Sequence, residues 1–483
     1  DQYDALREGP GRVDISIMNV IGFDATAIGN HEFDQGSDAF ESIIEEDFRG
    51  GADGPTGDRW VGAQFPYLSA NLDFSGDGDL GNLFTDDVKL NSDFATGPDE
   101  SLAGETSVAK IAPYTVINAG TELDPEYIGV IGATTQLLES ITSPTGTVGT
   151  AGNTNDMAAL ADVLNPQIAT LQLGIDGQAN TSDDINKIIL TSHLQQLALE
   201  EELITLLDGV DIVSAGGSDT ILADGNDVLR PEDAGSNPES YPVITTTADG
   251  DTAAIVSTDG EYSYVGRLVV GFDAAGKLLA DTIDEVVSGA YATIESVVTA
   301  VTGAADTAAA IAGSVKATEV EKLTDAVSTL VTEKDGNILG ETEVFIEGRR
   351  EFVRTQETTM GNLTADANLA AAQAFDASVA VSLKNGGGIR AEIGSIDGFT
   401  GELLPPEANP ASGKLQGQIS QLDIENTLRF NNGLTLITVT AEELKYILEH
   451  SVAATGPGAT PGQFPQIGGL SVCLNWPRSF SPP

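Results

Sequence analysis

The chain has 483 residues, long enough for two domains, and carries 74 Asp and Glu side chains against 22 Lys and Arg, for a net charge of −52. Such an acidic surface repels nucleic acid and anionic membranes, and it is typical of proteins in saline surroundings, where counterions screen the charge. The single cysteine excludes an internal disulfide bond, and no apolar run is long enough to span a bilayer. An anionic ligand therefore needs local positive charge, from metal ions or clustered arginines.

The first predicted strand ends at a polar turn. Residues 20–28 close with a short apolar run typical of a buried strand, and the motif GNHEFD at 29–34 then presents Asn30 and His31. Gly and Asn favour turns, so an ordinary polar turn is one interpretation. In open α/β sheets, however, ligands bind at the carboxyl ends of strands, and an amide oxygen and an imidazole suit a metal ion or a developing phosphoryl charge.

A strand–helix–strand unit is predicted over residues 185–216. Residues 188–190 form a buried strand, the apolar residues between 197 and 207 form one helix face, Gly209 ends the helix, and 211–214 begin the next strand. This order predicts a largely parallel sheet. Further strands are predicted at 128–135 and 241–247.

Two loops rich in Asp, Gly and Asn lie at 71–81 and 174–186. The second could hold calcium, but its ligand spacing does not match an EF-hand loop, and a solvated acidic loop is the simpler interpretation. An acidic calcium-binding surface protein is one function that these loops leave open.

Residues 286–335 are Ala-rich, lack Pro and have almost no aromatic residues, which predicts helices that connect two domains. A second α/β pattern begins near residue 340. We therefore expect a first domain over 1–285, a helical linker over 286–338 and a second domain over 339–483.

The second domain contains three predicted elements. A strand at 377–383 leads into the glycine-rich motif NGGGIR at 385–390, and a strand at 434–440 precedes an amphipathic helix at 441–452. Solvent exposure or the helix C-terminus accounts for His450 on that helix.

Five motifs follow one another along the chain: GNHEFD (29–34), LTSHL (190–194), GVDIVSAGGSDT (209–220), ETTMGNLTADA (357–367) and NGGGIRA (385–391). Together they resemble the secreted 5′-nucleotidase family, and the resemblance covers nearly the whole chain. It implies an α/β fold: a metallophosphatase-type layered α/β/β/α domain followed by an α/β nucleotidase C-terminal domain.

The resemblance implies a centre of two divalent metal ions, with Zn, Mn or Ca as possible ions, in which a metal-bound water attacks phosphorus. Asn30 and His31 are the implied catalytic residues. Asn30 would bind a metal ion, His31 would stabilise charge on the transferring phosphoryl or leaving group, and His193 would bind the same ion as Asn30.

Two departures from the family pattern bear on this centre. The family's upstream Asp-x-His strand end and bridging Asp are not in this chain, and Gly217 and Asp219 stand where the motif Gly-Gly-His-x-His has its histidines. Asp219 could bind a hard metal through its carboxylate, or be an ordinary turn residue. With Asn30 and His193 as the two remaining ligands, we expect an incomplete centre and a chain that is inactive or very weak.

The second-domain motifs imply a nucleotide-binding site. By resemblance, Arg390 contacts the anionic part of the substrate, and the glycines permit a tight turn and close approach. Phe430 would stack on the nucleobase, with core packing as the alternative, and Asn432 would contact the base edge. Structural ion pairs are expected for Arg349 and Arg354. The implied substrate-binding residues are Asn385, Gly387, Gly388, Arg390, Phe430 and Asn432.

Two functions follow. The first is an extracytoplasmic metal-dependent phosphomonoester hydrolase that releases phosphate from nucleotides, and the alternative is a non-catalytic nucleotide-binding protein with a degenerate metal site. The expected partner is a small nucleotide, without nucleic acid or a membrane span. The chain opens without a signal peptide and its last residues depart from the family pattern, so we expect a removed leader or a fragment truncated at both ends.

Overall fold

The computed structural model describes most of the chain and divides it into two compact units, Asp1–Leu323 and Thr324–Pro483. The division falls within the segment predicted as a helical linker. The last residues, 473–483, which depart from the family pattern, lie outside the described residues. These are residues 11–48, 59–96, 108–121, 123–142, 144, 146–234, 236, 238–260, 262–396, 402–430, 432–456 and 459–471.

The first unit alternates strands and helices. Its helices are α1 (Arg12–Ile21), α2 (Ser37–Ile44), α3 (Leu138–Ile141), α4 (Met157–Leu171), α5 (Leu197–Ile204), α6 (Glu295–Thr302) and α7 (Thr307–Ala312), and α8 (Val315–Gly336) follows. Its strands are β1 (Thr26–Ala27), β2 (Asp47–Phe48), β3 (Arg59–Trp60), β4 (Tyr67–Leu68), β5 (Leu72–Asp73), β6 (Ile111–Ala112), β7 (Tyr114–Asn118), β8 (Tyr127–Thr134), β9 (Val148–Gly149), β10 (Ile188–His193), β11 (Ile212–Ser214), β12 (Val243–Thr246), β13 (Thr252–Val256), β14 (Tyr264–Arg267), β15 (Gly271–Phe272), β16 (Leu278–Leu279) and β17 (Gly289–Ala292).

The largest sheet in the described part of this unit has the order β12-β13-β11-β10-β8-β7. Its four central strands are parallel, as the strand–helix–strand pattern predicted, and β7 and β12 pair antiparallel at the edges. The helix between β10 and β11 ends at Ile204, five residues before the glycine that was expected to end it. The carboxyl end of β10 is His193.

A second, smaller parallel sheet, β1-β4-β6, packs on one face of the large sheet. Gly132 of β8 permits the close approach, because a Cβ there would lie 2.2 Å from the backbone oxygen of Leu68 in β4. Ala70 N also donates to the Gly132 oxygen at 2.9 Å. The two sheets are therefore in direct contact.

Helices cover the two outer faces. In α4, apolar residues recur every three or four positions and pack against the large sheet, and the Asp156 side chain caps the helix N-terminus by accepting from Ala159 N. Side chains of α1 and α2 pack with the small sheet around Tyr67 and Phe40. This arrangement is the layered α/β/β/α order implied by the sequence motifs.

The second unit is also mixed α/β. Its strands are β18 (Ile338–Glu341), β19 (Ser382–Asn385), β20 (Ser395–Ile396), β21 (Leu403–Leu404), β22 (Gln418–Ser420) and β23 (Pro465–Gly468), and its helices are α9 (Arg350–Val353), α10 (Thr359–Phe375), α11 (Gln421–Thr427) and α12 (Ala441–Ser451). β18 pairs with β22, β19 with β23, and β20 with β21, each antiparallel.

Two strand predictions in this unit were wrong. The strand expected at 377–383 begins only at Ser382 and continues to Asn385. The strand expected at 434–440 is not formed, and Leu434 and Ile437 are 53% and 71% exposed. The alternation of β-branched residues there favours a strand, but a strand also needs a hydrogen-bonding partner, and no described segment pairs with these residues.

The helix predicted after that segment is present as α12. Thr440 and Glu443 form a capping box at its N-terminus, in which each side chain bonds the backbone N–H of the other residue. None of the described helices is both long and apolar enough to cross a membrane.

Candidate functional site

The first unit brings together two of the predicted site residues. Asn30 follows β1 and is buried, and its Oδ1 lies 3.1 Å from Nε2 of His193 at the end of β10. The two strands meet because β1 belongs to the sheet stacked on β8 and β10, where Thr134 Oγ1 donates to the Ile28 oxygen at 2.7 Å. Stacking of the sheets therefore aligns the two strand ends.

Gln195 is a third member of this cluster that the sequence motifs did not single out. Its Nε2 donates to Asn30 Oδ1 at 2.6 Å, and its backbone φ is +77°. The motif LTSHL stops one residue short of it, and nothing in the spacing marked a glutamine as a site residue.

His31 pairs with Asp34 of the same motif. Its Nδ1 lies 2.5 Å from Asp34 Oδ2, while Asp34 Oδ1 accepts from Thr142 Oγ1 at 3.0 Å. The carboxylate thus orients the imidazole, whose side chain is 54% exposed. A histidine held in this way can present Nε2 to a ligand oxygen and exchange a proton with it.

The turn that follows β11 packs directly on His193. A Cβ on Gly217 would lie 2.7 Å from His193 Nε2, and the Gly217 φ is +80°. Burial and the nearby His31 lower the pKa of His193 to about 4, against an opposing effect of Asp219. Asn30, His193 and the 216–219 turn therefore converge on one end of the sheets.

These residues do not fit a two-metal centre. Asn30 offers one amide oxygen, His193 one imidazole nitrogen and Asp219 a carboxylate, while Gly217 has no donor side chain. No group of three or more His, Cys, Asp or Glu side chains suited to a metal ion occurs among the described residues. A closed metal site needs about four protein ligands, and a two-metal site needs more.

In the second unit, the glycine motif follows β19 as a short 3-10 turn, Gly386–Gly388. Gly387 N donates to the Gly462 oxygen at 2.8 Å, and a Cβ on Gly387 would lie 2.9 Å from Gly462 Cα. The Lys384 and Asn385 side chains lie over Gly388, where a Cβ would be 3.0 Å from Lys384 Nζ. Gly387 is thus required by close packing against the backbone of Gly462, while Gly388 packs against side chains.

Arg390 leaves this turn and stacks on Phe430. The guanidinium carbon lies 5.5 Å from the ring centroid, and Arg390 N donates to the Thr427 oxygen at 2.9 Å. Phe430 is half-buried and is not among the buried core residues, which disfavours the core-packing interpretation. Asn432 is exposed.

Three arginines lie close together in this unit, a feature that the sequence motifs did not reveal. Arg350 Nε donates to Thr460 Oγ1 at 3.4 Å. Arg354 Nη1 donates to the backbone oxygen of the same residue, also at 3.4 Å. Burial, with the charges of Arg350 and Arg390, lowers the pKa of Arg354 to about 10. Like charges therefore converge here in a chain that is otherwise strongly acidic.

Ion pairs were predicted for Arg349 and Arg354, and one of the two is present. Arg349 forms a two-pronged ion pair with Glu347. The prediction was wrong for Arg354, which is 8% exposed and has no acidic partner within ion-pair distance in the described part of the chain. Its buried Nε has no hydrogen-bond partner there either.

Known proteins resemble this chain in sequence and in fold. Residues 338–480 match the family model of the 5′-nucleotidase C-terminal domain. The trifunctional nucleotide phosphoesterase protein YfkN of Bacillus subtilis is 27% identical over 465 residues, 95% of this chain and 25% of that protein. Human 5′-nucleotidase is 26% identical over 467 residues, 95% of this chain and 62% of that protein.

The chain thus spans less than two thirds of the length of these curated relatives. Among solved structures, the 5′-nucleotidase precursor of Thermus thermophilus has the same fold, with a TM-score of 0.61 at 22% identity over 96% of this chain and 69% of that one. Residues 338–480 thus carry the 5′-nucleotidase C-terminal domain, and nearly the whole chain is similar to curated 5′-nucleotidases in sequence and to a solved 5′-nucleotidase precursor in fold.

Proposed function

We propose that this chain is the nucleotide-recognising part of an extracytoplasmic phosphomonoester hydrolase that releases phosphate from 5′-nucleotides. The observation that carries the proposal is the cluster of Arg350, Arg354 and Arg390 beside Phe430. These three guanidinium groups repel one another, and a bound anion would offset that repulsion in a chain whose net charge is −52. Phosphate suits them, because the planar guanidinium fork matches its oxygens.

The aromatic ring supplies the second half of the recognition. Phe430 lies under the Arg390 guanidinium and offers a face on which a nucleobase can stack. Asn385, beside the glycine turn, and Asn432, two residues beyond Phe430, supply amide groups for the sugar and base edge. In this assignment Gly387 and Gly388 belong to the same substrate-binding loop, between Asn385 and Arg390.

In the first unit, we assign the proton-handling role to His31, oriented by Asp34. This pair can stabilise charge on a phosphoryl or leaving-group oxygen through Nε2. The family resemblance implies a centre of two divalent metal ions, which the complete protein is proposed to use. The residues of this chain do not fit such a centre, so we expect it to hydrolyse nucleotides weakly or not at all.

A second function is favoured by one contact. Gly217 lies against His193 where the family motif has a histidine, so the fold is retained while the ligand set is not. A nucleotide-binding protein without catalysis would keep the arginine cluster and Phe430 and tolerate this change.

Calorimetric titration in a constant high-salt buffer tests the proposal, because salt screens the repulsion of a nucleotide by the acidic chain. AMP should bind and adenosine should bind more weakly, since the arginines contact phosphate. Absence of heat with AMP would remove the proposal. Phosphate release from bound AMP in the presence of Zn²⁺, Mn²⁺ or Ca²⁺ would favour the enzyme, and binding without release would favour the non-catalytic protein.

A further inference from the structure

The amide oxygen of Asn30 is the atom that would bind a metal ion, and two side-chain donors already occupy it. Gln195 Nε2 donates to it at 2.6 Å, and His193 Nε2 lies 3.1 Å away, in donor geometry when the ring proton is on that nitrogen. A carbonyl oxygen has two lone pairs, so these two bonds use its accepting capacity.

Gln195 has a backbone conformation that is unusual for a residue other than glycine. Its φ of +77° lies in the left-handed region, which favours glycine. A larger residue persists in that conformation when its surroundings hold it, and here the hydrogen bond to Asn30 does so. The next residue, Gln196, is exposed.

The neighbouring turn leaves no space for a further ligand. A Cβ on Gly217 would lie 2.7 Å from His193 Nε2 and 2.8 Å from Cδ2, closer than real contacts allow. A histidine at 217 would therefore displace the ring of His193. The imidazole fills the space in which another metal ligand would stand.

We infer that the Asn30–His193–Gln195 cluster is closed by hydrogen bonds and does not take a divalent cation. The carboxamide nitrogen of Gln195 takes the place of the ion at the Asn30 oxygen. The cluster then holds the ends of β1 and β10 together without metal, independently of nucleotide binding in the second unit. Chelators and added metal should leave the stability of this unit unchanged.

The substitution Gln195→Glu tests this with almost no change in shape. It replaces the donor by a carboxylate that repels the Asn30 oxygen and also completes a set of oxygen and nitrogen ligands for a cation. In EDTA, the variant should melt lower than the wild type by about 2–4 °C, the equivalent of one lost hydrogen bond. MnCl2 should restore its melting temperature. Gln196→Glu adds the same charge on the exposed neighbour and should show neither effect.

The wild-type chain provides an independent measurement if the variant does not fold. Calorimetric titration with MnCl2 or ZnCl2, at fixed high NaCl concentration, should give the same weak, non-specific isotherm for the wild type and for His193→Ala. Saturable binding of one ion per chain that is lost in His193→Ala would overturn the inference. Equal metal responses of Gln195→Glu and Gln196→Glu would also count against it.

Discussion

Oδ1 of Asn30 lies 3.1 Å from Nε2 of His193, although 163 positions separate the two residues along the chain. The contact arises because β1 and β10 belong to stacked sheets whose carboxyl ends meet. Asn30 follows β1 and His193 ends β10, so the position of the cluster depends on how the two sheets pack together. The following outcomes test this packing and the proposed nucleotide site.

Loss of the Arg390 guanidinium should weaken AMP binding by about tenfold or more, since a hydrogen bond to a charged group contributes about 1.5–3 kcal/mol. Arg390→Ala is compared with Arg429→Ala, which removes the same charge from an exposed neighbour of Phe430. Titration calorimetry measures both. Equal affinities for the two variants would show that the net charge matters and that the position of Arg390 does not.

Removal of the Phe430 ring should weaken the binding of AMP and of adenosine to a similar degree, because base stacking does not depend on the phosphate. Loss of one stacking contact of about 1–3 kcal/mol corresponds to a factor of about 5 to 150 in affinity. Phe375→Ala removes an exposed ring from the end of α10 in the same unit and should leave both affinities unchanged. A selective effect of Phe430→Ala on AMP would instead mean that the ring acts through Arg390.

Asp335 should be a major determinant of the stability of the second unit. Its buried carboxylate accepts hydrogen bonds from Asn409, Ser412, Lys414 and Ser420. Asp335→Asn should lower the free energy of unfolding by about 2–4 kcal/mol, because it removes the charge that Lys414 faces and turns an acceptor into a donor. Denaturant unfolding measures the loss. Asp325→Asn, on the exposed side of α8, should fall within about 0.5 kcal/mol of the wild type.

The Asp335 carboxylate should also make the stability of the second unit depend on pH. Burial alone would raise its pKa, but hydrogen bonds from Ser412, Ser420, Asn409 and Lys414 outweigh burial and lower the pKa to about 2 from the ordinary value of 3.8. A carboxyl with a lowered pKa stabilises the folded state fully above pH 3.8 and loses this contribution as the pH falls towards 2. The free-energy gap between wild type and Asp335→Asn should therefore narrow over that interval. A gap that stays constant from about pH 5 to 2 would contradict the assignment.

Contact between the two sheets of the first unit depends on Gly132. A methyl group there would meet the Leu68 backbone oxygen at 2.2 Å, so Gly132→Ala should destabilise the unit by about 3 kcal/mol or more, through overpacking that neither sheet can relieve locally. Gly78→Ala, where a Cβ has no atom within 4 Å, is the matched control. The melting temperatures of the two variants, by scanning calorimetry, should differ clearly. Similar values would mean that the sheets can separate at little cost.

Local patterns in the sequence were sufficient for elements whose stability comes from their own residues or from continuous burial. The strand–helix–strand unit at 188–214 and the helix at 441–451 formed where apolar periodicity indicated them, although the first of these helices ends before Gly209. The glycine turn at 386–388 likewise formed where its residues required it. Each of these signals lies within a few residues along the chain.

Contacts between residues that are far apart in the sequence could not be predicted from such local patterns. Residues 434–440 have the composition of a strand, but strand formation depends on a partner elsewhere, and none of the described segments supplies one. The convergence of Arg350 and Arg354 with Arg390, and the hydrogen bond from Gln195 to Asn30, likewise join residues that are far apart in sequence.

The sequence by itself therefore indicated two successive α/β patterns, because hydrophobic periodicity is a local property. The layered fold and the candidate residues Asn30, His193 and Arg390 followed from short motifs that resemble a known family. Only the tertiary structure decided that Gln195 occupies the Asn30 oxygen and that Arg354 joins the other arginines without an acidic partner among the described residues. Those contacts depend on which strand ends and turns are packed together, and packing is a property of the whole folded unit.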